Sequence, residues 1–101
     1  MKIGCIGSED MVTIMRLAGA AYCEVAGEGK NLEKQFDEMV EKVDLVVIEE
    51  RYAEKIKDKI LYFRLIHDKP VIVEVPGREE IEKEDTIRKI IIRAIGVDMG
   101  D

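Results

Sequence analysis

Apolar residues along this chain keep two alternating rhythms. Short runs such as Lys2–Ile6, Ala21–Val25, Leu45–Ile48 and the VIVEV that follows Pro70 have the length of strands. Between them the apolar positions recur at helical spacing. Val12, Ile14, Met15 and Leu17 form the first set, and Leu32, Phe36, Met39, Val40 and Val43 the second. Tyr52, Ile56, Ile60 and Phe63 form the third. Turn signals separate these stretches. Ser8 or Asp10 can cap a first helix that stops near Gly19, and Asn31 can cap the second after the Gly27–Gly29 turn. A third helix is predicted over Arg51–Ile66. Pro76-Gly77 ends the fourth strand, and a last helix is predicted over Glu79–Ile95.

Strands alternating with helices of this length predict parallel pairing through right-handed crossovers. The first and third strands carry no charge within their apolar runs, as suits strands covered on both faces. The second and fourth carry Glu24 and Glu74, as suits sheet edges. The expected architecture is a three-layer α/β fold, Rossmann- or flavodoxin-like, with four parallel strands in the order 2-1-3-4. Residues 1–77 make the α/β domain and 78–101 a helical segment for a partner.

That last segment holds an apolar surplus. At ~100° per residue, Ile87, Ile90, Ile91, Ala94 and Ile95 form one stripe, and Ile81 and Ile92 lie well off it. The apolar arc reaches roughly 200°, twice what a surface helix on a single core requires. Acidic residues (Glu79, Glu80, Glu82, Glu84, Asp85) crowd its start and basic ones (Arg88, Lys89, Arg93) its end, complementing the helix dipole. Gly96 supplies a left-handed cap, with Val97 for the contact that follows it. β-branched residues are mediocre helix formers, so this much isoleucine implies packing on something. Leu61 and Leu65, opposite the core stripe of the third helix, offer a second contact. The expected partner interface is Ile87, Arg88, Lys89, Ile90, Ile91, Ile92, Arg93 and Ile95, with Leu61 and Leu65.

Composition narrows the function. The 101 residues allow one domain, which buries roughly 65% of its unfolded surface. The formal charge is −6, with two phenylalanines and no tryptophan, a poor match to nucleic-acid binding, which runs on Lys and Arg. Cys5 and Cys23 lie in strand-like segments and read as buried structural thiols, with no C-x-x-C spacing. MKIGCIG enters a strand pattern without signal-peptide character. No apolar run approaches the ~20 residues of a membrane span.

Catalytic chemistry has little to stand on. GCIG, Gly4–Gly7, is not a dinucleotide fingerprint, and Glu9 and Asp10 at the following helix start would repel a phosphate. A phospho-receiver domain shares the topology and has acidic residues at the positions of Glu9 and Asp10. It needs an aspartate where this chain has Glu49 or Glu50, and a lysine where VPGR offers Arg78. His67, the lone histidine, suits a solvated or satisfied imidazole near a helix carboxyl end. No catalytic, cofactor or metal residues are expected. The alternatives are a receiver-like signalling module without a working phosphorylation site, and a small-ligand domain using the space beyond Ile6 and Ile48.

IGSEDMVTIMRLAGA, LVVIEERYAEKI, PVIVEVPGREE and IRKIIIRAIGV, in that order, resemble the F subunit of archaeal A-type and V-type ATPases and ATP synthases. The resemblance spans almost the whole chain and implies a Rossmann-like domain with a carboxyl-terminal helix. It implies a non-catalytic component of the central stalk in a proton- or sodium-translocating rotary machine, peripheral on the cytoplasmic side of the membrane. It implies binding to the coiled-coil D subunit of that stalk, with the final helix extending toward the catalytic A and B subunits. The isoleucines of the last helix would then lie on the coiled coil, and Arg88, Lys89 and Arg93 near its acidic side chains. Where the family often has Asp-Thr and Gly-Phe pairs in the first helix, this chain has Asp10-Met11 and Ile14-Met15.

Overall fold

The computed structural model describes residues 1–77. The elements follow in the order β1 (Ile3–Gly7), α1 (Glu9–Leu17), β2 (Tyr22–Val25), α2 (Lys30–Met39), β3 (Leu45–Glu49), α3 (Glu50–Lys55), α4 (Lys57–Ile66) and β4 (Val71–Val75). The four strands form one sheet in the order β2-β1-β3-β4, and every pairing is parallel. Fold class and strand order are those the charge pattern of the strands predicts.

Register sorts the side chains to two faces. Ile6 and Ile48 pair in adjacent strands, as do Val46 and Ile72. All four are buried on the face covered by α2, α3 and α4, with Leu32, Phe36, Met39, Ala53, Ile56 and Ile60. Phe36 and Phe63 meet edge to face with ring centres 5.7 Å apart, the arrangement favoured by the aromatic quadrupole. Gly4 makes room there, since a Cβ would collide with the Met39 sulfur. Cys5 and Val47 pair across β1 and β3 and, by the alternation of the pleat, face the other way, where α1 lies on β1 and β2. Val12 is the buried residue of α1.

The ends of the helices follow local chemistry, with three corrections to the sequence reading. Ser8 caps α1, its Oγ accepting the Met11 N–H at 3.3 Å, and the helix gives way at Gly19, φ 105°. Asn31 does not cap α2. The cap is Gly29, φ 53°, with no side-chain bond; a positive φ suits glycine, and it turns the chain two residues before Asn31. The same helix closes at Met39, leaving Val43 buried just beyond it. The third predicted helix begins at Glu50 and is two helices, α3 and α4, parted at Ile56 with φ −125° and ψ 32°. Ile56 is buried, and its N–H closes back on the Ala53 carbonyl at 3.1 Å, so the break keeps its side chain in the core.

The edges are managed. Glu74 of β4 pairs with Arg64 at 3.2 Å, and Arg64 also donates to the Ile72 carbonyl at 2.7 Å. On the other edge Gln35 donates to Glu24 and to the Val25 carbonyl and accepts the Gly27 N–H. These side chains occupy backbone groups that a foreign strand would otherwise use.

Candidate functional site

In an open parallel sheet the crevice beyond the carboxyl ends of the central strands is where ligands bind. Here those ends belong to β1 and β3, and one side chain fills the space between them. Glu49, the last residue of β3, is 1% exposed. One carboxylate oxygen accepts the Ser8 N–H at 3.1 Å and the other the Arg51 Nε–H at 2.9 Å. Two glycines wall it in. A Cβ on Gly7 would stand 3.2 Å from Oε1, and one on Gly77 2.7 Å from Oε2. A single carboxylate therefore ties the end of β1, the start of α1 and the exit from β4 together.

This geometry bears on the chemistry the sequence raises. A carboxylate engaged on both oxygens stands where an anionic ligand would enter, and Glu9 and Asp10 add charge in the first turn of α1. The side chain works as a structural clamp. Cys5, on β1, is fully buried, and its thiol is pushed up from 9.0 to about 12 by burial, then by Cys23 and Glu49. His67 stands at the carboxyl end of α4, its ring 4.6 Å from Phe63. Sequence reasoning reaches Glu49 only as a stand-in for a phospho-acceptor. Its burial escapes the sequence, because Gly7 and Gly77, which face it, meet it only through the sheet.

The second feature is the outer face of α4. Ile60 and Phe63 turn to the core, Lys59 reaches Asp37 of α2 at 3.0 Å, and Arg64 is tied to β4. The helix is thus fixed on three sides. Beyond the exposed Lys57 and Asp58 of the first turn, what remains outward is apolar: Leu61 is 58% exposed, Tyr62 64%, Leu65 75% and Ile66 55%. They span roughly 140° of the helix. Leaving them in water forgoes on the order of 1.5–3 kcal/mol for each side chain a partner would cover. Leu61 and Leu65 stand where the sequence places them. Tyr62 and Ile66 escape the sequence pattern, because Tyr62 borders a core stripe and Ile66 ends the helix. Ile87, Arg88, Lys89, Ile90, Ile91, Ile92, Arg93 and Ile95 lie outside the described residues.

Fold and site together define a small parallel α/β domain with its strand-end crevice closed by its own carboxylate and an apolar helix face turned outward. The chain belongs to the family of the ATP synthase (F/14-kDa) subunit, which it matches over residues 3–91. It is similar to the F subunit of the A-type ATP synthase of Methanocaldococcus jannaschii, 33% identical over 98% of this chain and 99% of the relative. It is also similar to the protein of that description from Methanococcus maripaludis, 30% identical over 98% and 99%, and to that of Methanococcus vannielii, 27% identical over the same shares. Membership makes it an accessory component of an ATP synthase, without a catalytic role, and associates it with that membrane complex. Among the described residues no helix is long and apolar enough to cross a membrane.

Proposed function

We propose that this chain is the F subunit of an A-type rotary ATP synthase: a central-stalk component that binds the coiled-coil D subunit. In this role it couples ATP synthesis or hydrolysis in the head to rotation that moves protons or sodium ions. The observation that carries the reading is similarity along the full length to relatives described as that component of A-type ATP synthases. The exposed apolar face of α4 supports it, since a helix lays such a face against an apolar partner surface. Residues 1–77 act as the rigid head and 78–101 as the partner-binding segment, with Ile87, Ile90, Ile91, Ile92 and Ile95 on the D subunit. Arg88, Lys89 and Arg93 meet acidic side chains beside it, and the same segment reaches the A and B subunits transiently. The protein then sits on the cytoplasmic side of the membrane, peripheral through the complex.

The test is binding to the D subunit. Full-length chain forms a stable complex, and Leu61→Arg with Leu65→Arg weakens it at least tenfold while the thermal midpoint stays within about 2 °C, as expected for exposed positions. Unchanged affinity in that variant removes α4 from the interface. Treatment with a phosphodonor and magnesium leaves the mass unchanged; a stable added phosphoryl group would instead favour a signalling module.

A further inference from the structure

By sequence alone, Cys5 and Cys23 read as inert thiols. The sheet makes them neighbours: β1 and β2 run parallel with Cys5 and Cys23 as direct partners in the register. In-register residues of adjacent strands share a face, so both thiols lie on the side that α1 covers. Their environments differ. Cys5 is fully buried on a central strand, while Cys23 is partly exposed on the edge strand. A solution oxidant therefore meets Cys23 first, and the route from there to Cys5 is across the strand pair.

We propose that Cys5 and Cys23 are a reversible redox pair, closing to a cross-strand disulfide when a small-molecule disulfide reaches Cys23. The steps balance without another reagent. The Cys23 thiol releases its proton to water, and its sulfur attacks one sulfur of the oxidant R–S–S–R. The oxidant bond breaks, one RS⁻ leaves and Cys23 carries a mixed disulfide. The Cys5 thiol then loses its proton and attacks the Cys23 sulfur, expelling the second RS⁻. Both thiolates are reprotonated, so two hydrogens pass from the pair to the oxidant and two RSH are formed. The second step is slow, because the Cys5 thiol holds its proton to about 12, and thiolate is the attacking species.

Geometry also makes the bond reducible. Adjacent strands lie about 4.8 Å apart, inside the Cα range that a disulfide tolerates. In-register Cβ atoms on parallel strands keep about that spacing, beyond the roughly 3.8 Å mean for a relaxed bridge. Closure must pinch β1 toward β2, and a strained bridge sits at a more oxidising potential than a structural one. The bond, when closed, clips an edge strand to the centre of the sheet.

The experiment is incubation of the folded full-length chain with oxidised glutathione, followed by alkylation, intact mass and peptide mapping. The expected product has lost two hydrogens, yields a Cys5–Cys23 linked peptide pair and returns to the dithiol in millimolar reduced glutathione. Cys5→Ala is expected to stop at the glutathione adduct on Cys23, and Cys23→Ser to stay unmodified while folded. The proposal is overturned if the wild type also stops at the adduct, or links only between chains. A bridge that withstands reduced glutathione overturns its reversibility.

Discussion

Glu49 is a single residue on which several elements close. Its carboxylate is buried and doubly hydrogen-bonded, so Glu49→Ala removes the acceptor of the Ser8 N–H in a place water does not replace. Arg51 is partly solvated, which lowers the cost of losing its partner, and the expected loss is about 2 kcal/mol. Urea unfolding measures it. Gly77→Ala drives a Cβ against the same carboxylate and should destabilise by roughly 1–2 kcal/mol. The two changes share one contact, so the double variant should fall short of their sum by about 0.5 kcal/mol or more. Full additivity would mean that Gly77 does not rest on Glu49. Cys5 sets a pH dependence. The unfolded thiol ionises near 9.0 and the folded one near 12, so its contribution is complete below pH 9 and declines as pH rises toward 12. The slope is about 1.4 kcal/mol per pH unit. Comparison of wild type with Cys5→Ala from pH 8 to 11 isolates it: the wild-type advantage shrinks above pH 9, and a constant gap contradicts the assignment.

At the scale of elements, the strands are the most legible part of the sequence. Uncharged runs mark β1 and β3 as central, and Glu24 and Glu74 mark the edges, because burial on both faces excludes charge and an edge admits it. Helix ends are less legible. Asn31 has the chemistry of a cap, but the positive φ available to Gly29 turns the chain earlier, a backbone effect that side-chain pattern does not carry. The break at Ile56 is hidden for a related reason: Tyr52, Ile56, Ile60 and Phe63 keep helical spacing across it. The burial of Glu49 is also illegible, since a glutamate ending a strand normally reads as solvated; only the sheet brings Gly7 and Gly77 against it. The exposed face of α4 is half legible, through Leu61 and Leu65. The element is held by Arg64 and Lys59, so Arg64→Ala is expected to cost about 1 kcal/mol by releasing the Ile72 carbonyl and Glu74. It should also weaken binding to the D subunit, by loosening the mount of the stripe. A binding constant unaltered beside reduced stability would separate the two roles.

On the scale of the whole molecule, an ATP synthase component with no catalytic part must act through what it touches. The α/β fold keeps its strand-end crevice for itself and turns one helix face outward; the sequence of residues 78–101 adds closely spaced isoleucines with basic residues among them. In the proposed role, a chain of net charge −6 draws its affinity for the D subunit from apolar contact and its register from local cations, and little from long-range attraction. Binding to the D subunit should accordingly persist at high salt, with less than about a tenfold loss between roughly 0.1 and 0.5 M. The most direct measurement is backbone hydrogen exchange over residues 86–96 in the full-length chain, alone and in complex with the D subunit. The account predicts that protection of this segment rises on complex formation, together with that of α4. Equal exchange in both states, with complex formation verified in the same sample, would contradict it.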